Sequence, residues 1–177
     1  MLEIKFIVQY NLRVVFGGIK MDISIKLEDY LFNYRAAALI KNDGKVLVHH
    51  VIGAPYVTLP GGRVITGEDS ITTLKREIKE EMDIDVEHVR SVATIENFFN
   101  EQNKGLYHEL LMVHEMVFSN YEDYAKEIIP IEERKKGKLE FLWLDRRELE
   151  EYEVRPTELK QFITNEMPYT HIIHNEL

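Results

Sequence analysis

The sequence predicts an α+β fold, with several antiparallel strands, one helix, more strands and then helix again. Three observations carry this reading. Runs rich in strand formers flank a single stretch with helical apolar spacing, Asn42-Asp43-Gly44 marks a hairpin between two such runs, and no alternating strand–helix–strand pattern appears.

A chain of 177 residues is long enough for one domain with a substantial core and short for two. Hydrophobic residues at 45% and charged residues at 30% describe a globular rather than a disordered protein. Cysteine is absent, which excludes disulfides, zinc–thiolate sites and thiol catalysis. The formal charge of −9 argues against nucleic acid as a partner, because phosphate repulsion would have to be overcome locally. No apolar run approaches the ~18 to 20 residues of a membrane span. The expectation is a cytoplasmic protein acting on a small molecule.

The first twenty residues, MLEIKFIVQYNLRVVFGGIK, are apolar-biased but lack the h-region and cleavage site of a signal peptide. Gly17-Gly18-Ile19-Lys20-Met21 is what a purine-rich ribosome-binding site would encode if translated in frame. Two readings stay open for residues 1–20: an N-terminal strand, or a non-native extension before a natural start at Met21. Residues 21–177 then form one domain that includes a C-terminal helix.

Within it, residues 33–40 (NYRAAALI) and 45–51 (KVLVHHV) read as the hairpin strands, and residues 56–59 as a short third strand entering a Gly61-Gly62 loop. Residues 90–99 and 106–118 are two further strands joined by NEQNKG, and residues 119–138 are irregular and charged. Residues 139–144 form an aromatic strand, Asp145 caps a short helix, and residues 157–164 are the last helix.

Between the Gly pair and residue 90 lies LKREIKEEMDI. At about 100° per residue, Ile71, Leu74, Ile78 and Met82 fall on one stripe that buries against the sheet. Lys75 and Lys79 face water, and Glu77, Glu80 and Glu81 share a neighbouring sector with Ser70 and Thr73. An isolated E-x-x-E-E is most simply a solvated, salt-bridged helix face. The preceding Pro60-Gly61-Gly62, whose backbone can approach a ligand closely, shifts the reading toward hard divalent cations, which take carboxylate oxygens and could hold a phosphate on an acidic protein.

These residues resemble the box of the Nudix hydrolase family, G-x5-E-x7-R-E-U-x-E-E-x-G-U with U bulky and apolar. From Gly62 the pattern runs through Glu68, Arg76-Glu77, Ile78, Glu80-Glu81 and Ile84, and one position departs, with Asp83 in place of Gly. The departure bears on the helix exit, where a left-handed residue is needed, rather than on the carboxylates. The resemblance implies an α/β/α sandwich with a mixed β-sheet. It implies that Glu77, Glu80 and Glu81 bind Mg²⁺ or Mn²⁺, that Arg76 orients the carboxylates, and that Glu68 is a supporting acid. Gly61 and Gly62 would shape the loop near the phosphates.

The implied reaction is hydrolysis of a pyrophosphate bond in a nucleoside diphosphate linked to another group; a silent nucleotide-binding or protein-interaction module of the same fold is the alternative. The general base stays open among Glu80, Glu81, Glu101 and Glu109. Arg35 and Arg63 are candidate phosphate contacts, with surface salt bridges as the competing reading. Phe98, Phe99, Tyr107 and Trp143 are aromatic candidates for stacking on a base, though strand aromatics more often belong to the core. The family's ADP-ribose and diadenosine polyphosphate signatures are absent, so the substrate is a nucleotide diphosphate derivative of open identity. A homodimer is also left open.

The histidines read as structural. His49 and His50 point to opposite faces of a strand, His108 and His114 lie about 20 Å apart at strand rise, and His171 and His174 have helical spacing in a tail.

Overall fold

The computed structural model describes residues 12–15, 18–101, 104–126, 128 and 139–177. Strands β1 (Leu12–Val15) and β2 (Gly18–Met21) form a small antiparallel sheet of their own. The rest of the 1–20 segment lies outside the described residues. Then follow β3 (Ser24–Leu27), β4 (Tyr30–Asn42), β5 (Lys45–Val51), β6 (Tyr56–Thr58) and β7 (Gly61–Arg63). Helix α1 (Ser70–Met82) leads to the long strands β8 (Val86–Glu101) and β9 (Gly105–Phe118) and a 3-10 turn, Tyr121–Ala125. The chain closes with β10 (Leu139–Leu144), α2 (Arg146–Glu150), β11 (Glu153–Val154), α3 (Leu159–Thr164) and β12 (Thr170–Asn175). No helix among the described residues is long and apolar enough to cross a membrane.

The large sheet runs β11-β6-β5-β4-β9-β8-β12, with β10 also on β5 and both β3 and β7 on β4. It is mixed: β4 with β9, β11 with β6 and β12 with β8 pair in parallel, and its other pairs are antiparallel. The period-2 alternation of β4 divides the core. Ala36, Ala38 and Ile40 face α1 with Leu74, Ile78 and Met82, while Ala37 and Leu39 face Leu149 of α2 and Leu159 and Phe162 of α3. Two helical layers on one sheet make the expected α/β/α sandwich.

The turn chemistry matches the residues that make it. Asp43 and Gly44 both take positive φ, 47° and 76°, as a two-residue hairpin requires. Asp83 takes φ 59° and ψ 31°, so an aspartate does fill the left-handed exit of α1. Asp145 caps α2 in a full capping box with Glu148.

Two expectations need correction. The inner face of α1 is not the apolar stripe alone: Ile71 is only half-buried, whereas Ser70, Thr73 and Glu77 are buried. Ser70 turns inward because its hydroxyl meets His114 Nε2 at 2.8 Å, which ties α1 to β9. The chain also does not end in a helix and tail. After α3 it returns as β12, pairing in register with residues 93–98 of β8. Its alternation of half-buried and exposed residues was masked by the i,i+3 spacing of the two histidines, which on a strand places them on opposite faces.

Candidate functional site

The acid sector of α1 separates by depth. Glu77 is 3% exposed, Glu81 is half-buried and Glu80 is exposed. A carboxylate as buried as Glu77 requires a cation, and Arg76 supplies it. Its Nη1 donates to Glu77 Oε1 at 2.7 Å and to Glu80 Oε2 at 3.3 Å, and its Nε donates to Glu68 Oε2 at 3.0 Å. Glu68 is fixed further by Thr73 Oγ1 at 3.3 Å. Burial opposes the guanidinium charge, but Glu77 and then Glu68 outweigh it and raise the Arg76 pKa. Arg76 thus bridges three of the four box carboxylates.

The glycines of β7 are sterically required by this arrangement. A Cβ on Gly62 would come within 2.6 Å of both Glu77 carboxylate oxygens. At Gly61, with φ 147°, a Cβ would overlap the carbonyl oxygen of Ala36 on the paired strand. The Gly pair lets the sheet approach both its neighbour and the Glu77 carboxylate.

Arg63 continues the same strand and joins the acid network to a cleft. Its carbonyl accepts from Arg76 Nη2 at 3.4 Å, and its side chain lines a cavity of about 290 Å³. Across the β4–β7 register Arg63 stands directly opposite Arg35, which lines the same cavity. Like charges directly opposite on paired strands destabilise a sheet, so this pair is a feature the fold alone does not favour. Arg63 Nη1 lies 3.5 Å from Asp22 Oδ2, and Arg35 Nε lies 3.9 Å from Glu109 Oε2. The Nε atoms of both arginines are buried without a hydrogen-bond partner among the described residues.

Glu109, 5% exposed, sits beside them and accepts from Asn97 Nδ2 at 3.2 Å. Glu101 lies at the hairpin tip, paired with Lys104 at 2.5 Å. Phe99 and Tyr107 stack across β8 and β9 with centroids 4.8 Å apart and line the cavity. Burial and then Glu101 raise the Tyr107 pKa, which keeps the phenol a neutral donor.

The other aromatic candidates lie elsewhere. Phe98 stacks on His108, and Trp143 packs in a cluster with Phe118 and Tyr124. Among the histidines, His49 packs on Phe141 and is held neutral, its pKa lowered to about 4 by burial and then by Arg35 and His50.

Every box candidate, Glu68, Arg76, Glu77, Glu80 and Glu81, is therefore on or beside the Arg76 network, and Arg35, Arg63, Glu101 and Glu109 line the adjoining cleft. Asp22, which pairs with Arg63, and Asn97, Arg155, His174 and Glu176, which line the cleft, were not anticipated; they lie in separate stretches of the chain and carry no local pattern. The donor set fits a hard divalent cation in kind, since it consists of carboxylate oxygens. Among the described residues no three acidic or histidine side chains converge into a closed metal cage, because Arg76 draws Glu77 and Glu80 to itself.

The NUDIX domain family model matches residues 32–165. No curated protein matches the chain in sequence. Among solved structures, a NUDIX hydrolase from Nitrosomonas europaea superposes with a TM-score of 0.59 at 18% identity, covering 96% of each chain. An ADP-ribose pyrophosphatase from Streptococcus suis gives 0.57 at 18% identity, over 79% of this chain and 98% of its own. A mutator MutT protein from Bacillus halodurans gives 0.55 at 18% identity, over 81% and 91%. At these identities the likeness is one of fold.

Proposed function

The chain belongs to the Nudix hydrolase family, and we propose that it hydrolyses the pyrophosphate bond of a nucleoside diphosphate linked to another group, with the help of Mg²⁺ or Mn²⁺. The observation that carries this reading is the adjacency of two oppositely charged sites. One gathers Glu68, Glu77 and Glu80 around Arg76, and the other holds the facing pair Arg35 and Arg63.

The diphosphate lies against Arg35 and Arg63, whose guanidinium groups match phosphate oxygens. Its negative charge relieves the repulsion between the paired arginines. Glu77, Glu80 and Glu81 would hold the metal, which when bound neutralises phosphoryl charge and acidifies the attacking water. Arg76 orients the buried Glu77, and Glu68 keeps Arg76 in place. Glu80 and Glu81 stay candidates for the general base. Of the two outside the box, Glu109 is the better placed: it is buried in the cleft beside Arg35, while Glu101 is engaged by Lys104 at the rim.

A panel of nucleoside diphosphate derivatives, assayed with Mg²⁺ for wild type and Glu81→Gln, tests the proposal. Turnover of at least one member, lost in Glu81→Gln and on chelation, is expected. Tight nucleotide binding without turnover on any member would replace the enzyme by a binding module.

A further inference from the structure

Strand β12 lies beyond residues 32–165, the stretch that matches the family model, yet it reaches the cleft. Its end is firmly seated. The Glu176 amide donates to the Phe98 carbonyl of β8 at 2.9 Å, Arg90 Nη1 donates to the Met167 carbonyl at 2.9 Å, and the hydroxyls of Thr94 and Tyr169 meet at 2.6 Å. His174, 8% exposed, has Nδ1 2.5 Å from Glu158 Oε1 and Nε2 2.9 Å from Glu176 Oε1. With a carboxylate on each ring nitrogen, the imidazole has no face left for a ligand and serves to aim Glu176. The Glu176 side chain is 50% exposed and lines the cavity.

The chemistry of the cleft therefore changes along its length. At the β4–β7 end it offers the cations Arg35 and Arg63. Toward β12 it offers acceptors, Glu176 and the amide of Asn97, with Glu109 between the two ends, beside both Arg35 and Asn97. Asn97 is 6% exposed, and its Nδ2 is committed to Glu109, which fixes the orientation of the amide. Its Oδ1 then has no hydrogen-bond partner among the described residues. The cation at this end, Arg155, has its Nε on Glu153 at 2.7 Å and its guanidinium over the Tyr56 ring at 4.3 Å. Carboxylates accept only, so this end repels a further phosphate and favours groups that donate.

We propose that the terminal strand builds a specificity subsite in which Glu176, positioned by His174, accepts hydrogen bonds from the hydroxyls of a sugar on the far side of the diphosphate. This rests on the diphosphate reading of the same cleft and narrows it: the preferred substrate is a nucleoside diphosphate sugar rather than a nucleoside triphosphate. Phe99 and Tyr107 border the same space with flat apolar surface. A site built to hydrogen-bond hydroxyls discriminates strongly against ligands that lack them, because its buried acceptors are then left without partners.

The test is equilibrium binding by calorimetry in the presence of a chelator, so that no turnover is involved. ADP-glucose is compared with ADP, and UDP-glucose with UDP, on the full chain. In wild type one sugar nucleotide should bind roughly tenfold or more tightly than its nucleoside diphosphate, as one charge-assisted hydrogen bond supplies. Glu176→Ala should bring that ratio close to one, and Glu176→Gln, which keeps size but weakens the acceptor, should fall between. Thermal melts of each variant establish that it is folded. Equal ratios in wild type and both variants, or no preference for either sugar nucleotide in wild type, would overturn the subsite. Loss of the hydrolase reading shows separately, as absence of turnover with Mg²⁺ on the diphosphate panel.

Discussion

Glu77 on α1 and His174 on β12 are both buried ionisable side chains, 3% and 8% exposed, and each is held against opposite charge. At Glu77 one guanidinium serves three carboxylates, those of Glu68, Glu77 and Glu80. At His174 one imidazole serves two, Glu158 and Glu176. The first cluster gathers three carboxylates round its cation and lies against a glycine whose missing side chain makes room for one of them. We propose it as the place of a further cation. The second sets two carboxylates on one imidazole, seats the end of a strand and leaves Glu176 lining the cleft. In both, a buried ionisable group is met by opposite charge from its neighbours, which is what its burial requires.

The widest separation between the regions should come from Gly62→Ala. The added methyl displaces the Glu77 carboxylate, and hydrolysis should fall by roughly 100-fold, the scale of an ångström-level misplacement. Steady-state rates on the best panel substrate check this. Next in size is Arg76→Met, which removes the cation bridging Glu68, Glu77 and Glu80 and should cost about 3 kcal/mol in urea denaturation. Added Mg²⁺ should restore part of that stability in the variant, because the carboxylates then gain another counter-charge.

His174→Asn should behave differently with pH. Burial disfavours the charged imidazole, but Glu158 and Glu176 outweigh it and raise the His174 pKa above its unfolded value. Its stabilisation is then full below the unfolded pKa and lost as pH rises through the folded one. The stability gap between wild type and His174→Asn should therefore be larger at about pH 5.5 than at about pH 9. Added Mg²⁺ should leave this gap unchanged, which separates the two clusters.

The smallest effect is expected from deleting residues 1–20. The truncated chain would keep the Met21 carbonyl, which accepts from the Thr66 amide. A shift in melting temperature under about 2 °C is expected, the scale of a surface change in a chain of this size.

Legibility in the sequence followed how local the determining physics is. The hairpin at Asp43-Gly44, the exit at Asp83 and the cap at Asp145 rest on the conformational habits of single residues, and each stands where its residues indicate. Glu68, Arg76, Glu77, Glu80 and Glu81 were legible because one helix and its entry loop hold them at fixed spacing. Their depth was not, because helical geometry alone does not say which side of the acid sector faces Gly62. Asn97 and His174 meet only through the register of β8 with β12, and Arg155 joins them in the cleft from another part of the chain, so nothing in their sequence neighbours announces it. For β12, two histidines at a spacing common to helices and tails concealed a strand whose partner lies about eighty residues earlier, as the register Thr170↔Ala93 records.

The most direct test of the proposal that the carboxylates of α1 hold a metal is calorimetric titration of the full chain with Mn²⁺. Glu80→Gln combined with Glu81→Gln spares the buried Glu77 and makes the comparison. Wild type should take up at least one ion with heat that the double variant loses, while both melt as folded proteins. Equal Mn²⁺ binding by the two proteins, or none by wild type, would contradict the account.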